Sequence, residues 1–76
     1  MIKIQQLRKE KGLSQSKLAE MSGVPFRVLQ NYEQGVRDID GASLDRLCDL
    51  ATALDVKLWD ILDSEELAEK VKRCTK

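Results

Sequence analysis

Glycines at positions 12, 23 and 35 and the single proline, Pro25, divide the first half of the chain into three segments of roughly ten residues. Each segment carries its apolar residues at helical spacing, so a run of short helices is the layout this punctuation allows. In the first, Ile4, Leu7, Arg8 and Lys11 share one i, i+3, i+4, i+7 stripe, and Gly12 stands where a left-handed residue closes a helix. In the second, Ser14 is placed as an N-cap, Gln15, Leu18, Ala19 and Ser22 face inward, and Gly23 ends the pattern. The third runs from about Pro25, whose missing N–H is not needed in a first turn, to Gly35.

The second half continues in the same period. Leu44, Leu47, Cys48, Ala51 and Leu54 form a stripe behind a Ser43 cap, which places Cys48 in the core. Leu58, Ile61 and Leu62 make a short fifth helix after Val56, and Asp63-Ser64-Glu65-Glu66 reads as a capping box opening a last helix with Leu67 and Val71 on one face. Strict alternation of apolar and polar residues persists nowhere, so no strand is expected. The expected fold is all-α: a compact bundle of five short helices over residues 1–63, with a C-terminal helical extension over residues 64–76.

Composition excludes several kinds of chemistry. A chain of 76 residues fits one domain, and with 4% aromatic residues its core must be Leu, Ile, Val and Ala. There is no histidine to act as general base or metal ligand, and Cys48 and Cys74 do not form a C-x-x-C pair. Catalysis, a bound metal and a cofactor are therefore not expected. No apolar run reaches the roughly 18 residues needed to span a bilayer, and two free thiols point to a reducing, cytoplasmic setting.

The chain has 13 basic and 13 acidic residues, and net neutrality taken alone disfavours nucleic acid as a ligand. The charges are not evenly spread. Residues 1–37 hold seven bases against three acids, a net +4, and the remainder is −4. On a wheel of about 100° per residue with Leu29 inward, Arg27 and Asn31 fall nearly opposite the core, flanked by Gln30 and Gln34. Arginine can bond bidentately to guanine, and asparagine or glutamine to adenine, so this face suits a major groove. Two short helices joined by the tight turn Ser22-Gly23-Val24 give the helix-turn-helix layout around it.

The runs Leu7-Arg8-Lys9-Glu10-Lys11-Gly12-Leu13-Ser14-Gln15, Leu18-Ala19-Glu20, Ser22-Gly23-Val24, Tyr32-Glu33-Gln34-Gly35 and Leu50-Ala51-Thr52-Ala53-Leu54 together resemble the phage repressor and Cro-like (XRE-like) helix-turn-helix domains over about residues 2–62. The resemblance implies a lambda-repressor-like fold and double-stranded DNA as partner. It implies that Phe26, Arg27, Val28 and Asn31 read bases, and that Gln15 contacts a phosphate and braces the recognition helix. It also places Arg37 in a region that grips the DNA backbone. Ser14, Lys17, Gln30 and Gln34 join that backbone set, with Ser14 and Gln15 framing the anion-binding start of the second helix. Phe26 has two uses open to it, packing or contact with a thymine methyl.

Arg8 on the inner stripe of the first helix and Glu33 about 40° from Leu29 are read as a pair, because two lone charges at a core edge are costly. The resemblance points to the same tie, and contact of Arg8 with phosphate is the alternative. Pro25 stands where the family carries a Ser or Thr cap, Asp55 where it carries glycine, and the loop of residues 36–42 is longer and holds two acids. The expected function is a sequence-specific DNA-binding transcriptional regulator, a repressor acting as a homodimer on a two-fold operator. Trp59, Leu62, Leu67 and Val71 are the residues available for subunit contact, Trp59 alternatively capping the core and Leu67 and Val71 alternatively docking on their own domain. The competing reading is an antitoxin-like or adaptor module on the same fold, whose acidic second half binds a partner protein.

Overall fold

The computed structural model describes residues 2–75, and five α-helices carry nearly all of its regular structure: α1 (Lys3–Glu10), α2 (Gln15–Ser22), α3 (Phe26–Gln34), α4 (Leu44–Leu54) and α5 (Glu65–Cys74). Single 3-10 turns at Ile39–Gly41 and Leu58–Ile61 join the later helices, and no strand occurs among the described residues. The radius of gyration is 11.4 Å, which is the size of a globule about 76 residues long.

Local chemistry sets the helix ends. Ser14, Ser43 and Ser64 each accept a backbone N–H three residues on, which satisfies one of the free donors that open α2, α4 and α5. At the far end of α2, Gly23 sits at φ 76° and its N–H returns to the carbonyl of Ala19. Only a residue without a Cβ adopts that conformation freely, so the turn between α2 and α3 depends on it. Asp55 closes α4 in the same left-handed region at φ 55°, a site that Asp and Asn tolerate better than most side chains do.

The core is aliphatic. Ile4, Leu18, Leu29, Ile39, Leu50, Leu54, Ile61 and Leu62 are all under 2% exposed, and Tyr32 is the aromatic residue buried with them. Burying each such side chain contributes about 1.5–3 kcal/mol relative to exposing it. α4 packs across α2, α3 packs on α2, and the turn at Leu58–Ile61 bridges α1, α4 and α5.

Several expectations are corrected. The fifth helix of the first 63 residues is one 3-10 turn, from which the chain leaves in extended conformation at Leu62. Leu62 is itself 1% exposed, part of the core and not a subunit contact. In α4 the inward stripe is Leu47, Leu50, Ala51 and Leu54, whereas Leu44 is 65% exposed and Cys48 is exposed. Relative to the centre of that stripe, Leu44 lies about 70° and Cys48 about 110° away, so choosing Leu50 turns both outward. On α1 Lys11 is exposed, and on α3 Pro25 is the N-cap residue, one position earlier than a first helical residue.

The capping box before α5 is only half present. Ser64 caps the helix, but the N–H groups of Asp63 and Ser64 donate to the two oxygens of Asp40, at 2.8 and 3.0 Å. Asp63 in turn accepts the Lys3 N–H at 2.9 Å. The loop after α3, the start of α5 and the start of α1 are thereby tied at one point. α5 lies on the body of the domain through half-buried Leu67, Ala68 and Val71 and has no fully buried residue.

Candidate nucleic-acid interface

The start of α2 presents two backbone donors. Lys17 N–H is taken by the Ser14 hydroxyl at 3.0 Å and Leu18 N–H by the Ser14 carbonyl, which leaves the N–H groups of Gln15 and Ser16 without a partner among the described residues. Together with the positive end of the helix dipole, such a terminus favours an anion.

The side chain of Gln15 points back into the protein. Its Nε2 donates to Glu33 Oε1 at 3.1 Å, while Arg8 Nε and Nη2 donate to Oε2 and Oε1 of the same carboxylate at 2.8 and 2.9 Å. The third nitrogen, Arg8 Nη1, donates to the Leu13 carbonyl at 2.7 Å. The Glu33 side chain is 0% exposed, and its carboxylate with the Arg8 guanidinium joins α1, the α1–α2 turn, the start of α2 and α3 in a single knot. A bidentate guanidinium–carboxylate pair fixes orientation as well as distance. α3 is therefore held in rotation about its own axis by the face opposite to the one it exposes.

That outer face carries Arg27 and Gln34 in the open and Gln30 and Asn31 half-buried. None of the four side chains has a hydrogen-bond or ion-pair partner among the described residues. Phe26, in the first turn, is 43% exposed, so its ring is available for contact rather than sequestered by packing. Val28 lies half-buried against the core and offers an edge only. Lys17 is exposed on α2, 3.9 Å from Glu20.

Arg37 follows the left-handed residue Gly35 and is exposed. Of the two acids in this loop, Asp40 is half-buried and is the clasp to Asp63 and Ser64, whereas Asp38 stays exposed and accepts the Asp40 N–H at 3.0 Å. Arg37 lines a cleft of about 410 Å³ with Tyr32, Asp38, Ser43 and Arg46, two bases against one acid. Sequence patterning did not single out Arg46. Its signal was a base in the first turn of a helix, where it opposes the dipole unless an anion is to be held there.

The helix-turn-helix family matches residues 4–58 of the chain. Among solved structures, a complex of SinR protein with SinI protein is similar, at 32% identity and a TM-score of 0.72, over 100% of this chain and 80% of that one. No curated protein sequence matches. Among the described residues, no helix is long and apolar enough to cross a membrane. With the matched segment covering both helices of the motif and the shared fold covering the whole chain, the protein belongs to the helix-turn-helix family, as an XRE-type DNA-binding transcription regulator.

Proposed function

We propose that this regulator is a sequence-specific repressor that lays α3 in the major groove and binds a two-fold operator as a dimer. The observation that carries the reading is the outer face of α3, where Arg27 and Asn31 have no side-chain partner among the described residues while the inner face is locked through Glu33. Arg27 suits guanine O6 and N7, Asn31 suits adenine N6 and N7, and each good pair discriminates by about 1–3 kcal/mol. Phe26 is placed to meet a thymine methyl, with Val28 at the margin.

Phosphates are assigned to the start of α2, where Ser14 and the N–H groups of Gln15 and Ser16 converge, with Lys17, Gln30 and Gln34 on the flanks. Arg37 and Arg46 on either side of their shared cleft take a second stretch of backbone. A subunit with largest dimension 32 Å suits two half-sites about 34 Å apart, one turn of DNA. Titration of duplex DNA at several salt concentrations, with sedimentation of the complex, tests the reading. The expected result is two chains per operator and a log K against log salt slope of about −0.9 for each neutralised phosphate. A salt-insensitive complex with no duplex preference favours the adaptor reading instead.

A further inference from the structure

α1, the turn at Leu58–Ile61 and α5 enclose an open groove of about 510 Å³ that none of the residues assigned to DNA lines. Its apolar part is Leu7, Ala68 and the half-buried indole of Trp59. Its walls are acidic: Glu10 on α1, Glu65 and Glu69 on α5, and Asp60 between them, against only Lys3 and Lys72. The three ion pairs among the described residues, Arg8–Glu33, Lys17–Glu20 and Lys70–Glu66, involve none of these groups. The groove thus combines a partly open aromatic ring with unneutralised carboxylates, net −2 for the four acids and two bases that line it.

We infer that this groove docks a basic amphipathic helix of a partner protein. The walls are helices of 8 and 10 residues, about 12 and 15 Å long at about 1.5 Å per residue, which matches two to three turns of an incoming helix. Its apolar stripe rests on Leu7, Ala68 and Trp59. Its Lys and Arg side chains meet Glu10, Glu65 and Glu69, with one cation placed over the indole face. A second copy of this chain is the poorer occupant. A two-fold contact sets the same patch against itself, and here it would oppose two acidic grooves.

Trp59 is the only tryptophan in the chain, so its emission reports this groove directly. The test titrates the full chain with two synthetic tryptophan-free helical peptides of about twelve residues, one with a Leu stripe flanked by Lys and Arg, the other with Glu in place of every base. The expected result is a saturable shift of Trp59 emission with the basic peptide and none with its charge-reversed counterpart. The double variant Glu10→Gln, Glu69→Gln should weaken that binding roughly tenfold while keeping the melting temperature and duplex binding of the parent. Three results overturn the inference: no shift, equal shifts with both peptides, or undiminished binding by the double variant. A concentration-dependent shift without peptide, tracking dimer formation in sedimentation, also overturns it by making a second copy the occupant.

Discussion

Arg8 donates through Nε and Nη2 to both oxygens of Glu33, at 2.8 and 2.9 Å, with the carboxylate side chain wholly shielded from water. The pair connects the first helix to the helix assigned to base reading, and Gln15 adds the second helix to the same carboxylate. The outward face of α3 is thus held in place from its inner side.

Removing Glu33 leaves a guanidinium buried without its partner. Glu33→Ala should destabilise the fold by about 3–5 kcal/mol in urea unfolding, whereas replacing both residues, Arg8→Met with Glu33→Leu, should cost much less, because no orphaned charge remains. A melting temperature for Glu33→Ala within a degree of the parent would rule this out.

Arg37 and Arg46 are assigned to phosphate and not to bases. Arg37→Ala and Arg46→Ala should each weaken cognate and random duplexes by similar factors and flatten the salt slope by about one unit. Loss confined to the cognate duplex would reassign either side chain to base reading.

Asp40 holds the N–H groups of Asp63 and Ser64 at the start of α5. Asp40→Ala should cost about 1–3 kcal/mol, since two charge-assisted hydrogen bonds are lost from a half-buried site. Hydrogen exchange should show faster amides at residues 63–67 with α3 unchanged. Uniform acceleration across the chain would mean that the clasp is part of the global core, not a local tie.

Both thiols stand on the surface. An aromatic disulfide reagent should therefore modify Cys48 and Cys74 in the native protein at comparable rates, without denaturant. Protection of Cys48 until unfolding would return it to the core.

Helix positions were legible because the signals are local: Ser14 and Ser43 cap where a hydroxyl meets a free N–H, and Gly23, Gly35 and Asp55 take the left-handed conformation. The pairing of Arg8 with Glu33 was legible too, since two charges on inward stripes of separate helices have few other partners. The face of α4 was not. Leu44, Leu47, Cys48, Leu50 and Ala51 supply more apolar residues than one stripe can hold, and packing against α2 decides among them. The Asp40 clasp was hidden for another reason. It spans 23 and 24 positions, and an acid in a loop beside an arginine carries no mark of a distant backbone partner. Arg46 escaped because its meaning lies in a cleft shared with Arg37 and Tyr32, which exists only after folding.

Sequence reading by α3 through Arg27 and Asn31 is tested by selecting bound duplexes from a random library with the parent, Arg27→Ala and Asn31→Ala run side by side. The expected result is paired half-sites about ten base pairs apart for the parent, with each variant losing preference at one or two positions per half-site. Variants that select the same sequence as the parent, or lose affinity equally for cognate and random duplexes, would contradict it.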